Sequence, residues 1–265
     1  IMSDVDGTLI TPDGAVPPRN IEAITRFVDK GGKFAIATGR SPMWIRYLVE
    51  ALPVNAPCAA INGCILYDFG SEMSLWEQPL PVYTHAYVDE LTDMSPQIGM
   101  VVMTKDNYYN IRNETALVQR LMKSRRSAYV DPVDWRSVRD DWFKVLLLIP
   151  DGYFDSSMAY LAKKTCPGVR FTPSGYNIIE MMPDTVNKGT ALLKLAEISG
   201  YDMARIAAIG DFYNDIEMLE TAGIGAAVGD APDAVRSRAD LVLGPCAGGA
   251  VADLIEHLEH ISAGA

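Results

Sequence analysis

The sequence predicts an α/β fold in which a parallel sheet is covered by helices on both faces. Short apolar segments alternate with helical segments over residues 1–81, and the same alternation returns over residues 185–265. Strands that alternate with helices form parallel sheets, because each helix carries the chain back across the sheet before the next strand begins. The chain has 265 residues, of which 49% are hydrophobic, so it can form one large or two smaller domains with a sizeable core.

Proline and glycine mark the helix boundaries in this alternating part. Ser41 and Pro42 are typical of the N-cap and first position of a helix, whereas Gly31 and Gly200 follow the last turns of two other helices. The strands are short apolar runs between such boundaries. The predicted elements are a strand at 1–6, a helix from 18 to the glycines at 31 and 32, a strand at 33–38, a helix over 42–51, strands at 58–61 and 64–67, a helix over 188–199, a strand at 205–209, a helix over 211–222, a strand at 224–228, a helix over 232–238, a strand at 241–243 and a helix from 249.

The middle of the chain has a different pattern, in which strands follow one another with fewer helices between them. Prolines border this segment at positions 79 and 81 on one side and at 183 on the other. We therefore expect an α+β domain at residues 82–184, inserted into an α/β domain formed by residues 1–81 and 185–265. Its predicted strands are 100–104, 108–111, 143–149, 169–172 and 178–182, and its predicted helices lie near 114–126 and 156–164.

Charge and hydropathy argue against two classes of partner. The net charge is −11 and the pI about 4.7, whereas nucleic-acid backbones are bound by basic surfaces, so we expect no nucleic-acid partner. The dense basic group of Lys123, Arg125 and Arg126 is typical of a solvated helix face. No apolar run approaches the ~18 residues of a membrane span, so we expect no membrane association.

The N-terminus and the cysteines bear on the cellular location. The first residues lack the basic-then-apolar pattern of a signal peptide, and only three residues precede Asp4, so we expect a few residues to be absent from this end. The cysteines at 58, 64, 166 and 246 have neither metal-ligand nor C-x-x-C spacing, which is typical of buried thiols in a reducing compartment. We therefore expect a cytoplasmic protein.

The segment Asp4-Val5-Asp6-Gly7-Thr8 is the strongest chemical signal in the chain. In an extended strand, residues i and i+2 project to the same side, so the carboxylates of Asp4 and Asp6 are predicted to crowd one small volume. Like charges that close raise each other's pKa unless a cation or a protein donor offsets them. Gly7 permits a sharp turn, and the Thr8 hydroxyl and nearby backbone N–H groups can face an anion. The alternative is a strand that ends in an ordinary Asp-rich turn.

Four further clusters lie at the ends of predicted core strands, where open parallel sheets bind ligands. Lys188 begins a helix, where the helix dipole disfavours a cation unless an anion shares the site. Asp211 and Asp215 follow a buried strand and offer the oxygen ligands that Mg²⁺ takes. Each cluster also has an ordinary explanation as a turn, a helix cap or a surface group. The clusters are Thr38-Gly39-Arg40, Asn62-Gly63, Lys188-Gly189 and Gly210-Asp211 with Asn214-Asp215.

In this order the motifs resemble those of the haloacid dehalogenase-like (HAD) hydrolases, and more narrowly those of the Cof-type phosphatases with an inserted type IIB cap. The resemblance covers nearly the whole chain. All four family motifs are present, and the inserted segment falls between the second and the third, as in that subgroup. The motifs, in order, are Asp4-Val5-Asp6-Gly7-Thr8, Thr38-Gly39-Arg40, Asn187-Lys188-Gly189, and Gly210-Asp211 with Asn214-Asp215. The resemblance implies a Rossmann-like parallel sheet as the catalytic core, with residues 82–184 as the cap.

The resemblance also implies Mg²⁺-dependent hydrolysis of a small-molecule phosphate ester through an aspartyl-phosphate. Asp4 would attack phosphorus, and Asp6 would protonate the leaving alcohol and then deprotonate water. Thr38 and Lys188 would stabilise the charge of the transferring group. The implied metal ligands are Asp4, Asp6 through its backbone carbonyl, Asp211 and Asp215, and the implied phosphate contacts are Gly7, Thr8, Gly39, Arg40, Asn62 and Asn214.

Two other functions stay open at this point. Sugar phosphomutases share the first motif and a similar cap, although the segment after Gly210 has the shorter, hydrolase-like form. A non-catalytic phosphometabolite-binding protein would be expected to lose the nucleophile or the acid, whereas both aspartates are present. We expect the substrate to be a sugar phosphate or a phosphorylated cofactor and the protein to be a monomer or a weak homodimer. Candidate specificity residues of the cap are Arg170, Ser174, Tyr176 and Asn177.

Overall fold

The computed structural model describes residues 1–94, 98–112, 129–130, 134–175 and 177–263. The strands are β1 Met2–Ser3, β2 Ala35–Ile36, β3 Cys58–Ala60, β4 Ile65–Asp68, β5 Met73–Glu77, β6 Gly99–Met103, β7 Tyr108–Arg112, β8 Tyr129–Val130, β9 Lys144–Leu148, β10 Val169–Gly175, β11 Ile178–Pro183, β12 Ala207–Gly210, β13 Ile224–Ala227 and β14 Leu241–Val242. The helices are α1 Pro18–Asp29, α2 Pro42–Ala51, α3 Thr84–Met94, α4 Phe154–Leu161, α5 Lys188–Ser199, α6 Ile216–Thr221, α7 Asp233–Arg236 and α8 Ala250–Ala263. The chain divides into two compact units, one formed by residues 1–77 and 186–265 and the other by residues 78–185.

The first unit is built on a parallel sheet with the strand order β14-β13-β12-β1-β2. Successive residues of β12 face opposite sides, since Ile209 belongs to one apolar cluster and Ala208 to another. Residues of α1, α2 and α8 pack in the first cluster, and residues of α5 and α6 in the second. The predicted α/β class, a parallel sheet with helices on both faces, is therefore confirmed.

The core strands are shorter than the sequence predicts. The predicted strand at 1–6 forms regular strand structure only at Met2–Ser3, and the one at 33–38 only at Ala35–Ile36, after which Ala37 makes an isolated bridge with Ala59. The helix predicted over 211–222 starts with a 3-10 turn, Tyr213–Asp215, and becomes an α-helix at Ile216. Each difference leaves polar residues in loops at the carboxyl end of a strand.

A small antiparallel sheet, β3-β4-β5, also belongs to the first unit. Its first two strands are the predicted pair around Asn62 and Gly63, where a 3-10 turn makes the connection. The third strand, β5, was not predicted. It contains the apolar residues Met73, Leu75 and Trp76, but every residue is only partly buried or exposed, so it does not form a buried apolar run.

The second unit is a sheet of order β10-β11-β9-β6-β7-β8, antiparallel except for the parallel pair β7–β8. One face packs with residues of α3 and α4 around Val102, Val145 and Leu147. The five predicted strands of this segment are present, whereas α3 and β8 were not predicted. The helix predicted at 114–126 and the basic residues Lys123, Arg125 and Arg126 lie outside the described residues.

Within the described ranges, every helix is too short or too polar to cross a lipid bilayer.

Candidate active site

The site starts where β1 ends. The backbone N–H of Asp4 donates to the carbonyl of Ile209 at 2.9 Å, which fixes Asp4 beside the end of β12, and the residue is only 6% exposed. The chain then turns sharply, with the N–H of Gly7 donating to the carbonyl of Ile10 at 3.0 Å. Gly7 has φ 88°, and a Cβ there would lie 2.5 Å from Asp211 Oδ2, so the close approach of the two loops needs glycine at this position.

Asp211 comes directly after β12, the neighbour of β1 in the sheet. Its Oδ1 accepts a hydrogen bond from the Thr8 hydroxyl at 2.9 Å across 203 residues of sequence. The structure therefore brings the first and the last motif together at the carboxyl edge of the parallel sheet.

Asp215 is completely buried and holds the last motif in shape. Its Oδ2 accepts from the backbone N–H groups of Asp211 and Phe212, both at 3.0 Å. Its Oδ1 accepts from Lys188 Nζ at 2.6 Å. Because both carboxylate oxygens already have protein donors, Asp215 acts first as the support of this loop and of Lys188.

Lys188 carries a fully buried ammonium group at the start of α5. Its Nζ donates to Asp4 Oδ1 at 2.5 Å as well as to Asp215. The helix is capped by Asn187, whose side chain accepts from the N–H of Thr190 at 2.7 Å. The anions that offset the unfavourable position of this lysine at a helix start are thus two carboxylates of the protein.

Three carboxylates, those of Asp4, Asp211 and Asp215, have ligand oxygens within 4.8 Å of one another. Burial raises the pKa of Asp4 well above its usual value, and the charges of Asp215 and Asp211 raise it further, against the lowering effect of Lys188. Burial, and then the charge of Asp215, raise the pKa of Asp211 to about 6. Three carboxyl groups this close together are suited to binding a hard divalent cation. Mg²⁺ binds oxygen ligands, and its charge would offset the repulsion between the carboxylates.

Asp6 does not share this cluster. Its carboxylate accepts two hydrogen bonds from Arg40, one of them from Nε at 3.0 Å, and its side chain is 59% exposed. Arg40 Nη1 also donates to the hydroxyl of Tyr47 at 3.2 Å. The prediction that Asp4 and Asp6 crowd one volume is therefore wrong: β1 ends at Ser3, so strand alternation no longer governs the two side chains.

The second motif and the Asn62 turn are in contact. The backbone N–H of Asn62 donates to the carbonyl of Thr38 at 2.8 Å, and the Thr38 hydroxyl accepts from the N–H of Arg40 at 3.2 Å, across Gly39. Asn214 Nδ2 donates to Asn62 Oδ1 at 3.3 Å. Asn214 thus joins the turn of Asn62 to the last motif.

Sequence reasoning missed Tyr47, which supports Arg40 from α2. Helical spacing gives no signal for this contact, because Arg40 precedes the N-cap Ser41 and so lies outside α2. Of the candidate specificity residues, Tyr176 lies outside the described residues. Asn177 donates through Nδ2 to Asp151 Oδ1 at 2.6 Å within the second unit.

Comparisons with known proteins agree with these motifs. The sequence model of the haloacid dehalogenase-like hydrolase family matches residues 1–255. The pyridoxal phosphate phosphatase YbhA of Escherichia coli is 29% identical over 257 residues, which cover 92% of each chain. A 5-amino-6-(5-phospho-D-ribitylamino)uracil phosphatase of Bacillus subtilis, YwtE, is 30% identical over 265 residues, which cover 91% of each chain.

A solved structure gives the same result for the fold. The crystal structure of a haloacid dehalogenase-like hydrolase from Bacteroides thetaiotaomicron superimposes with a TM-score of 0.87 at 23% identity, covering 97% of this chain and 98% of the other. The family match spans both compact units and all four motifs. The chain therefore belongs to the haloacid dehalogenase-like hydrolases, as one of their Cof-type phosphatases.

Proposed function

We propose that this protein is a Mg²⁺-dependent phosphomonoester hydrolase that works through an aspartyl-phosphate on Asp4. The observation that carries the proposal is the position of the Asp4 carboxylate, which lies between the buried ammonium of Lys188 and the carboxylate of Asp211 at the carboxyl edge of a parallel sheet. This edge is where open α/β sheets bind ligands.

In the first step, a carboxylate oxygen of Asp4 attacks phosphorus and the bond from phosphorus to the leaving oxygen breaks. Asp6, in its protonated form, gives its proton to the leaving alcohol. In the second step, Asp6 takes a proton from water, which attacks the phosphorus and releases inorganic phosphate. The Asp4 carboxylate and the protonated Asp6 are then regenerated.

Lys188 and Thr38 have fixed roles in this proposal. The ammonium of Lys188 favours the ionised form of Asp4 that attacks, and it also stabilises charge on the transferring group. Thr38 is 1% exposed and is held by main-chain hydrogen bonds, so its hydroxyl can donate with little reorganisation. Gly7, Thr8, Gly39, Arg40, Asn62 and Asn214 are the proposed contacts of the phosphate group.

The residues that would hold Mg²⁺ are Asp4 and Asp211 through their carboxylates and Asp6 through its backbone carbonyl. Asp215 would act indirectly, since its oxygens already accept from Lys188 and from two backbone N–H groups. When bound, the ion supplies positive charge that offsets the negative charge of the phosphate and of the carboxylates.

The substrate is proposed to be a small phosphorylated metabolite, either a sugar phosphate or a phosphorylated cofactor. Relatives named for pyridoxal phosphate and for 5-amino-6-(5-phospho-D-ribitylamino)uracil support this class. In the same proposal, residues 82–184 serve as the substrate-selecting cap of a catalytic core formed by residues 1–81 and 185–265.

Phosphate release from a panel of phosphomonoesters tests the proposal. We expect turnover that requires Mg²⁺ and falls by about three orders of magnitude or more in Asp4→Asn, which has a similar shape but is a poor nucleophile. Asp29→Asn, an exposed position at the end of α1, is the matched control and should keep full turnover. Retained turnover in Asp4→Asn would refute the assignment of Asp4 as the nucleophile. Transfer of the phosphoryl group to a second sugar, without release of free phosphate, would favour a phosphomutase.

A further inference from the structure

Two large side chains beside the carboxylate cluster are left exposed. Phe212 is 39% exposed and Tyr213 is 52% exposed. They follow Asp211 directly in the chain, and consecutive Cα atoms lie about 3.8 Å apart, so both residues belong to the loop that carries the carboxylates of Asp211 and Asp215. The loop that carries them is otherwise polar or glycine.

The main chain holds these residues in place from both directions. The N–H of Phe212 donates to Asp215 Oδ2 at 3.0 Å, and the carbonyl of Phe212 accepts from the N–H of Asp215 at 3.0 Å. Asp215 is itself completely buried and bonded to Lys188. These hydrogen bonds fix the backbone of the loop from which both rings project.

The two rings also orient each other. Their centroids are 5.0 Å apart and their planes make an angle of 78°, which is an edge-to-face pair. The pair therefore offers flat, apolar ring surface on the same loop as Asp211 and Asp215. An apolar surface bordered by a few polar groups is typical of sites that bind small ligands.

We propose that Phe212 and Tyr213 form a stacking surface for a planar heteroaromatic leaving group, which selects phosphorylated ring compounds over aliphatic phosphate esters. The inference rests on the proposed phosphatase function and names the substrate class of the same site. Aromatic side chains bind planar rings by stacking, whatever the substituents of the ring. The substrates in the names of two relatives, pyridoxal phosphate and the ribitylaminouracil phosphate, both contain a planar ring, which supports this occupant.

Steady-state kinetics with two substrates test the inference. Pyridoxine 5′-phosphate has the pyridine ring but lacks the aldehyde that condenses with lysines, and glycerol 3-phosphate has no ring. In Tyr213→Ala and in Phe212→Leu we expect KM for pyridoxine 5′-phosphate to rise about five- to tenfold, with kcat nearly unchanged. KM for glycerol 3-phosphate should change by less than about twofold, since it makes no stacking contact. Tyr213→Phe should behave like the wild type, because stacking does not need the hydroxyl.

Direct binding separates this inference from the phosphatase proposal. Pyridoxine without phosphate should bind the wild type and Ile261→Ala, a control at an exposed position of α8, and bind Tyr213→Ala several-fold more weakly in calorimetry. Equal changes of KM for both substrates, or none in either variant, would overturn the inference while leaving the hydrolase proposal intact. Absence of turnover with every ester would instead overturn the hydrolase proposal, and the binding measurement would still decide whether the rings are a stacking surface.

Discussion

At Lys188 the chain buries a full positive charge, with no side-chain exposure, between the carboxylates of Asp4 and Asp215. Taking three charged groups out of water is costly, and the cost is offset only because the groups pair at hydrogen-bond distance. The neighbouring carboxylates raise the pKa of Lys188, so it stays protonated despite its burial. One side chain thereby links the first and last motifs and also supplies charge to the proposed nucleophile.

Replacing Lys188 tests this dual role. Lys188→Met leaves two buried carboxylates without their cation, so we expect the free energy of unfolding to fall by about 3–5 kcal/mol and turnover to be lost. Urea denaturation followed by circular dichroism measures the first effect. Lys194→Met, which removes a partly exposed lysine from the same helix, should cost less than about 1 kcal/mol. A variant as stable as the wild type would contradict the structural role.

Arg40 and Tyr47 give a second prediction, because they hold the proposed acid, Asp6. If Arg40 positions that carboxyl group, Arg40→Met should lower kcat/KM about tenfold or more for alkyl phosphates, whose leaving group needs a proton. The loss should be much smaller for p-nitrophenyl phosphate, whose leaving group is stable without one. The matched control is Arg46→Met, which removes another exposed arginine–carboxylate pair, with Glu72. Loss of the proposed contact between Arg40 and the phosphate group would lower kcat/KM equally for both substrates, so an equal loss would contradict the positioning of Asp6 and leave only that contact.

At the scale of elements, the turn at Ile61–Gly63 fixes the start of α5. Gly63 has φ 98°, and a Cβ there would lie 2.5 Å from the backbone carbonyl oxygen of Asn187, the N-cap of that helix. The close contact holds the turn that carries Asn62 against the start of the helix that carries Lys188. The packing of this turn against the start of α5 therefore requires glycine at position 63.

Gly63→Ala should therefore destabilise the protein by about 2 kcal/mol or more, because it combines a strained φ with a backbone clash. Gly14→Ala is the matched control: Gly14 has φ 87° but no atom within 4 Å of the added Cβ, so only the conformational strain of about 1 kcal/mol applies. Thermal denaturation of both variants separates the two contributions. Equal shifts in Tm would exclude the contact with Asn187 as the cause.

For the whole molecule, the crowded acids couple stability to pH and to divalent ions. The pKa of Asp211 is about 6 in the folded protein and 3.8 without its surroundings, and that of Asp4 is also raised. The folded protein thus binds these protons more tightly than the unfolded chain does. Their stabilising contribution is complete below about pH 4 and is lost as the pH rises to about 6 and beyond.

Asp211→Asn should remove part of this pH dependence. Without divalent ions, the free energy of unfolding of the variant should rise relative to that of the wild type as the pH goes from 4 to 7. The expected change of this difference is on the order of 2 kcal/mol. Mg²⁺ should raise the Tm of the wild type more at pH 7.5 than at pH 5, where protons compete for the same oxygens, and should have little effect on the variant. A pH profile of unfolding that is identical for the two proteins would contradict the raised pKa.

How far the sequence predicts the structure differs between fold and site. The strands β6 and β9 are buried along their whole length and β11 nearly so, and all three are mainly apolar, so their positions follow from local pattern. The strand β5 also contains apolar residues, but it is only partly buried and its position was not predicted. At the site, the order of the motifs and the edge of the sheet where they meet could be predicted, since parallel strands end together.

The sequence alone determines the α/β class, the family and the identity of the residues at the site, because alternation of apolar segments and short motifs are local properties of the chain. Only the tertiary structure decides which charges pair: Asp4 with Lys188, which is 184 positions away, and Asp6 with Arg40 outside the cluster. Such pairing depends on distances through space and on burial, neither of which is encoded in the spacing of two aspartates along a strand.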